Sequence, residues 1–519
     1  MEQMRKLPIG IQTFEKLREE NYLYVDKTAL VYRIASTSVP YFLSRPRRFG
    51  KSLLISTFEA YFQGRKDLFE GLAIEKLETE WKEYPVFHLD LNAEKYDSKE
   101  ALEQMLSRNL SLWEDRWGKD AAEDTLASRF AGVLRRTYEQ TGKQAVVLID
   151  EYDKPLLQAV LDENLLDEYR KILKAFYGVL KSADRYLRFV FLTGVTKFAQ
   201  VSVFSDLNQL NDISMDRAYN ALCGITQDEL IKTFGPEIQR LSENEELTLE
   251  ETIFRLAKKY DGYHFTWPSP DVFNPFSLLN AFEDGKLNSY WFGSGTPTYL
   301  IEMLRKFHVL PSEVGHSMQA MAASFDAPTE RMTTITPLLY QSGYVTIKDY
   351  DKYTELYTLD IPNREIRVGL MQSLLPNYLA YNTDMGLTTI GRMYGAIRLG
   401  DMDGALRLLQ EFLSTVPYCD NTNYEGHYQQ LFYIIFSLFG MYVDVEVRTP
   451  KGRVDVVMRT ADTLYVIELK LGKDADAAMS QINLKNYPER FTLSGLPVVK
   501  VGISFDAEEH TLGDWLIEK

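Results

Sequence analysis

The sequence predicts an α/β protein. A mostly parallel sheet comes first, then a helical, winged-helix-like middle region, then a second and smaller α/β domain. Three observations carry this. From Val39 to about Ile225, short β-branched and aromatic runs alternate with stretches of helical spacing, the pattern of a sheet buried between helices. From about 226 to 400 helical spacing dominates. After 400 the order is helix, helix, strand, hairpin, helix, strand. The chain of 519 residues is accordingly divided at 1–225, 226–400 and 401–519, in keeping with the usual size of domains.

The strands of the first domain are VPYFL (39–43), VFHLDL (86–91), AVVLID (145–150) and LRFVFLTG (187–194). Between the first two, Leu54, Ile55, Phe58, Tyr61 and Phe62 recur at helical spacing. In the middle region ITPLLYQSGYVTI (335–347) reads as a helix running into a strand. The following KDYDKYTELYTLD completes a two-stranded ribbon, so this part resembles a winged helix and is a candidate contact for DNA. In the third domain a helix (425–440) leads to a strand (442–448), a hairpin (453–471), a helix (475–486) and a strand (497–504).

Composition narrows the function. Hydrophobic residues make up 45% and charged residues 25%, ordinary for a globular protein with sizeable cores. The net charge of -16, from 74 acidic and 58 basic residues, argues against a surface coated for bulk nucleic-acid binding but allows a local basic groove. Cys223 and Cys419 lie far apart in no metal-like spacing, which excludes a disulfide scaffold and fits a reducing cytoplasm. The N-terminus has no signal-peptide pattern. The longest apolar run, Leu431 to Val443, is broken by Ser437 and Gly440 and is shorter than the ~18 residues of a membrane span.

Two motifs carry chemistry. In FLSRPRRFGKSLL (42–54), Gly50-Lys51-Ser52 is the tail of a phosphate-binding loop set between a strand and a helix, with Arg45 where the pattern has its first glycine. Backbone N–H groups of such a turn and the following helix N-terminus face phosphates. Lys51 is then expected on the terminal phosphates and the Ser52 hydroxyl on Mg²⁺. Arg45, Arg47, Arg48 and Lys51 crowd four cations around the turn, which favours an anion among them, and Phe49 belongs to the same loop. VVLIDEYD (146–153) ends a buried strand in Asp150-Glu151, at the strand tip where ligands of parallel sheets bind. Asp150 is expected to hold Mg²⁺ and Glu151 to polarise the attacking water. Thr193, at a neighbouring strand tip, is either a γ-phosphate contact or a helix cap, and Arg217 either an arginine finger or a surface ion pair.

The stretches GIQTFEKLREENYLYVDKT (10–28), FLSRPRRFGKSLL and VVLIDEYDKP, with YDGYHF (260–265) and SGYVTI (342–347) downstream, resemble the bacterial AAA-ATPase-like family over about residues 5–375. That family shows the same RPRRFGKS form of the loop. The resemblance implies a P-loop NTPase domain that binds and hydrolyses ATP.

The second motif lies in GRVDVVMRTADTLYVIELK (452–470). A tight turn at Ala461-Asp462 sets Asp455 and Glu468 opposite each other across the hairpin. Alternation puts Glu468 and Lys470 on one face, with Ile467 and Leu469 on the other. Two carboxylates and an ammonium on a polar face suit Mg²⁺ or Mn²⁺, with Lys470 orienting water or stabilising developing charge. The order of elements resembles the PD-(D/E)XK nuclease superfamily over about residues 405–510. Asp455 matches its first acid, and Glu468 and Lys470 match its E-x-K. Glu425 matches the extra metal-binding acid of the first helix, and Gln481 the glutamine of a Q-x-x-x-Y motif. Here the sequence departs from the pattern, with Lys485 at the tyrosine position and Tyr487 two residues on. The resulting expectation is an ATP- and metal-dependent enzyme cleaving DNA. Its rival is an ATP-dependent switch whose nuclease-like domain only binds a nucleic acid or a partner protein.

Overall fold

A computed structural model describes the chain apart from residues 1–4, 93, 161, 198–209, 295–297, 316–317, 329–331, 380–382, 415–423, 449–452, 485–494 and 507–508. The chain divides into two compact units, each built from two segments. One comprises Met1–Tyr290 and Gln319–Pro362, the other Trp291–Met318 and Asn363–Lys519. The sequence boundary at 225 thus falls inside the first unit, and that at 400 inside the second.

The first unit is built on five parallel strands, β1 (Tyr41–Ser44), β2 (Val86–Asp90), β3 (Ala145–Asp150), β4 (Leu187–Gly194) and the short β5 (Asn211–Asp212). Their order is β2-β3-β4-β1-β5, with every neighbouring pair parallel. β4 shows why these residues form a central strand. Phe189 and Phe191 pack on one face against Phe58 of the helix Lys51–Phe62, with ring centroids 5.2 and 4.8 Å away. Val190 and Leu192 point to the other face, into a core with Leu106, Phe130, Leu173 and Phe176 from the helices Lys99–Trp117, Leu126–Thr141 and Glu163–Ser182. Each apolar side chain so buried contributes about 1.5–3 kcal/mol.

The next helices, among them Gln227–Thr233, Gly235–Asn244, Leu249–Tyr260 and Pro275–Asp284, share a second core around Leu230, Phe234, Leu256 and Phe282. Thr226 with Glu229, and Thr248 with Glu251, close capping boxes that start two of them. β6 (Ile225–Thr226) and β7 (Val272–Phe273) form a small antiparallel pair. The boundary between the units falls within β8 (Met318–Ala320). The helix Thr336–Gln341 then leads into β9 (Thr346–Asp351) and β10 (Leu356–Asp360), an antiparallel ribbon, the helix-and-ribbon order that the sequence predicts.

The second unit carries a mixed five-stranded sheet in sequence order: β11 (Asp444–Arg448), β12 (Arg453–Arg459), β13 (Leu464–Leu471), β14 (Val498–Asp506) and β15 (Thr511–Glu518). β13 and β14 run parallel and the other pairs antiparallel. The apolar run from Leu431 belongs to the buried helix Tyr424–Leu438, which continues through a 3-10 turn to β11. Among the described residues no helix is long and apolar enough to cross a membrane.

Candidate nucleotide and nuclease sites

The strand order decides the first site. β4 lies between β1 and β3, so the tips of all three meet at one edge. From them come the loop after β1, Asp150 and Glu151 at the end of β3, and Thr193 near the end of β4. Thr193 is fully buried and donates to Asp150 Oδ1 at 2.5 Å. The Ser52 hydroxyl lies near enough to Asp150 to draw its carboxyl down. Burial pushes the Asp150 carboxyl up, the Ser52 and Thr193 hydroxyls pull it down, and the charge of Glu151 pushes it up again; the net direction is upward. Lys51 is buried at the start of its helix. Its ammonium donates to the carbonyls of Arg45 (3.1 Å) and Pro46 (3.3 Å) and pairs with Glu151 at 3.2 Å. Glu151 itself stands at φ 52°, a conformation strained for a residue with a Cβ. Lys51, Ser52, Asp150, Glu151 and Thr193 are thus brought together.

The cations of the turn separate into different surroundings. Arg45 is 1% exposed. Its guanidinium donates to the carbonyls of Ser44 (2.9 Å), Ser214 (2.8 Å) and Tyr219 (3.1 Å) and stacks 4.1 Å over Phe265. This corrects the expectation that Arg45 faces phosphate: where the usual loop has a glycine, this chain has a buried strut. Arg48 sits 3.7 Å over the Phe276 ring at φ 69°, while Arg47 is exposed. Phe49 is buried edge-on against Tyr263 (4.9 Å) and Phe265 (5.4 Å). Gly343, at φ +84°, lies so close to Pro46 that a Cβ there would stand 2.8 Å from the proline Cβ. The YDGYHF and SGYVTI motifs therefore buttress the loop from behind.

Sequence reasoning missed two features of this site. Tyr24, Val25, Leu53, Leu54, Cys223 and Phe234 line a small apolar pocket of about 100 Å³, partly open to solvent, beside Gly50 at the helix N-terminus. Asp153 is fully buried and clamps the turn after β3 to that after β4. It accepts from the backbone N–H of Val195 (3.1 Å) and Thr196 (2.7 Å) and from the Thr196 hydroxyl (2.6 Å), and burial followed by the charge of Glu151 pushes its carboxyl up to about 6. The DEYD spelling contains this second acid, but only the fold shows that it points away from Glu151's role. Arg217 is exposed on a 3-10 turn, Arg217–Tyr219.

In the second unit the hairpin forms with Asp455 opposite Glu468 and Arg453 opposite Lys470, the register that the spacing predicts. The four side chains make a square on one face. Lys470 pairs with Glu468 at 3.2 Å and Arg453 with Asp455 at 3.5 Å. Asp455 is 8%, Glu468 1% and Lys470 9% exposed, so this polar face is covered. The cover is the helix Ala475–Leu484, whose Met479 and Ile482 pack with Val466. At Gly502, beside Glu468 on β14, a Cβ would lie 2.8 Å from Ala475 O and Met479 N, so only glycine admits the helix this close. Gln481 on that helix accepts from the Lys470 ammonium. The opposite face packs on the helix Tyr424–Leu438, with Tyr428 and Phe432 against Phe505. The side chain of Glu425, and all of Lys485 and Tyr487, lie outside the described residues.

Among the described residues no three His, Cys, Asp or Glu side chains gather as a metal site. Asp455 and Glu468 nevertheless fit a hard divalent cation. They are two oxygen donors side by side, and the rest of the shell is left to carbonyl, water or phosphate oxygens. Ser52 with Asp150 is likewise an oxygen set suited to Mg²⁺. The β9–β10 ribbon points the other way. Asp349, Asp351 and Glu355 are exposed on it beside Lys352, while Lys348 is turned to the carbonyls of Gly262 (2.6 Å) and Pro362 (3.0 Å). Such an acidic ribbon repels a phosphate backbone, and the expected DNA contact there finds no electrostatic support.

Residues 8–204 match the model of the AAA-ATPase-like family, described as a predicted AAA-ATPase. Residues 423–515 match that of the PD-(D/E)XK nuclease superfamily. Along its whole length the chain is similar to a protein of Azotobacter chroococcum mcd 1 described as "Uncharacterized protein in vnfD 5'region", at 33% identity over 529 residues covering 99% of each chain.

Proposed function

The chain belongs to the AAA-ATPase-like family and ends in a PD-(D/E)XK nuclease superfamily domain, and from that premise we propose that it hydrolyses ATP and uses it to govern metal-dependent cleavage of DNA. One observation carries the ATP half: Thr193 donates to Asp150 at the tips of adjacent strands, with Ser52, Lys51 and Glu151 beside them. ATP would lay its phosphates along the backbone of residues 47–51, and Lys51 would exchange its loop carbonyls for the terminal phosphate oxygens. The base would enter the apolar pocket next to Gly50. Mg²⁺ held by Ser52 and Asp150 would neutralise charge on the phosphates. Glu151, released from Lys51 by the arriving phosphate, would orient the attacking water.

In the nuclease domain Asp455 and Glu468 would hold Mg²⁺ or Mn²⁺, which supplies a Lewis acid and an acidified water. Lys470, steadied by Gln481, would stabilise the charge that develops on the phosphodiester. The rival reading keeps the ATP site and makes the nuclease fold a binding module. It is favoured by one feature, the existing pairing of both carboxylates with cations. ATP-binding and DNA-cleavage assays on the full chain test both halves. Lys51→Ala should weaken ATP binding about 10–100-fold, the loss of a charged hydrogen-bonding group. Glu151→Gln should keep binding and slow turnover. Asp455→Ala should abolish cleavage. Unchanged ATP affinity in Lys51→Ala would sink the first half; the absence of Asp455-dependent cleavage would favour the binding module.

A further inference from the structure

Resting on the nuclease reading above, we infer that Arg453 is the phosphodiester-binding residue of the second site, and that its departure from Asp455 couples nucleic-acid binding to divalent-metal binding. The geometry distinguishes Arg453 from its neighbour Lys470. Lys470 is held twice, by Glu468 at 3.2 Å and by Gln481. Arg453 has the looser ion pair, 3.5 Å from Asp455 Oδ1, and its buried Nε donates no hydrogen bond among the described residues. Its side chain keeps 23% of its surface exposed, so a ligand can reach it. Its backbone is fixed in β12, opposite Lys470, with its carbonyl accepting from Gln429 at 3.1 Å. Only the side chain is left to move, and a planar guanidinium fits two phosphate oxygens better than one edge of a carboxylate at 3.5 Å.

Charge makes the move cooperative. Arg453, Asp455, Glu468 and Lys470 together sum to zero. A divalent cation alone brings an excess of positive charge into a covered site, with Arg453 occupying one of its two carboxylates. A phosphodiester alone meets two carboxylates. Together the two ligands cancel: the phosphate draws Arg453 away and frees Asp455 for the cation. Linkage then requires the nucleic acid to strengthen metal binding by the same factor as the metal strengthens nucleic-acid binding.

The test is calorimetry of Mn²⁺ on the nucleotide-free full chain, with and without a phosphorothioate oligodeoxynucleotide. The Asp455→Ala variant is titrated in parallel, to subtract Mn²⁺ taken up elsewhere. In the wild type the oligonucleotide should tighten Mn²⁺ binding about tenfold, within the usual range of coupling between sites. Arg453→Gln should bind Mn²⁺ alone about tenfold more tightly than the wild type and lose the effect of the oligonucleotide. Arg453→Lys, which keeps the charge, should bind Mn²⁺ alone as weakly as the wild type, which separates release of Asp455 from a general loosening of the hairpin. Asp455-dependent Mn²⁺ binding that is unchanged or weaker in Arg453→Gln, or an undiminished oligonucleotide effect there, overturns the inference while leaving the nuclease reading standing. A wild type that takes up no Mn²⁺ beyond Asp455→Ala overturns both.

Discussion

Asp261, the second residue of the YDGYHF motif, is 4% exposed where the helix Leu249–Tyr260 ends. Burial, with the charge of Asp271 adding to it, lifts its carboxyl from 3.8 to about 7 against the pull of the Gly262 N–H and of Lys348. A raised carboxyl favours the folded state while protonated. Its contribution is therefore full below the unfolded value near 3.8 and is lost as pH rises through about 7. Asp261→Asn should flatten the stability of the first unit across that window and exceed the wild type at pH 8, by roughly 2–4 kcal/mol. Melting curves from pH 4 to about 8 check this; a variant with the wild-type slope would refute it. At this scale the sequence was legible where neighbours in space are neighbours in a simple count. Asp455 and Glu468 are equidistant from a turn, so their pairing follows from arithmetic. Arg45 was illegible because its partners, Ser214, Tyr219 and Phe265, lie far along the chain.

Between strand and helix, the phosphate-binding turn depends on what stands behind it. Gly343→Ala meets both a left-handed backbone and the Pro46 ring, so the new methyl must push the turn. It should destabilise the first unit by about 1–3 kcal/mol and weaken ATP binding as well. Gly142 also has a positive φ, +69°, but nothing lies within 4 Å of its added Cβ. Gly142→Ala should therefore cost stability and leave ATP affinity alone; equal affinity in both variants would show that the buttress does not shape the loop. The long central elements were readable because continuous apolar runs between helices have few alternatives. β15 was not. Its TLGDWLIE buries only Leu512 and otherwise alternates half-buried and exposed positions along a sheet edge, with Gly513 and Asp514 diluting the strand signal. β5, at two residues, is too short to carry a period.

For the whole chain, two compact units imply two cooperative transitions. ATP with Mg²⁺ at ~100 times its dissociation constant adds about 2.7 kcal/mol to the unit that binds it and should raise only the transition lost in Lys51→Ala. Mn²⁺ should raise the other, and Asp455→Ala should cancel that rise. Differential scanning calorimetry separates the two; a common shift with either ligand would show that the units melt together. Periodicity identifies elements well but does not say which core each one joins. The helices after residue 226 look alike in sequence, yet some pack in one unit and some in the other, because burial against a remote partner leaves no local mark.

The chain passes between the units at 290/291, 318/319 and 362/363, and this has a consequence for synthesis. A ribosome delivers residues from the N-terminus and domains fold as they emerge. The ATP-binding turn is complete by residue 52, but Gly343, which backs it, follows only after residues 291–318 of the other unit have been made. The turn therefore waits, half supported, through the opening of its neighbour's synthesis. Cutting the gene at any single point after the turn and before residue 363 strands at least one unit without part of its own chain.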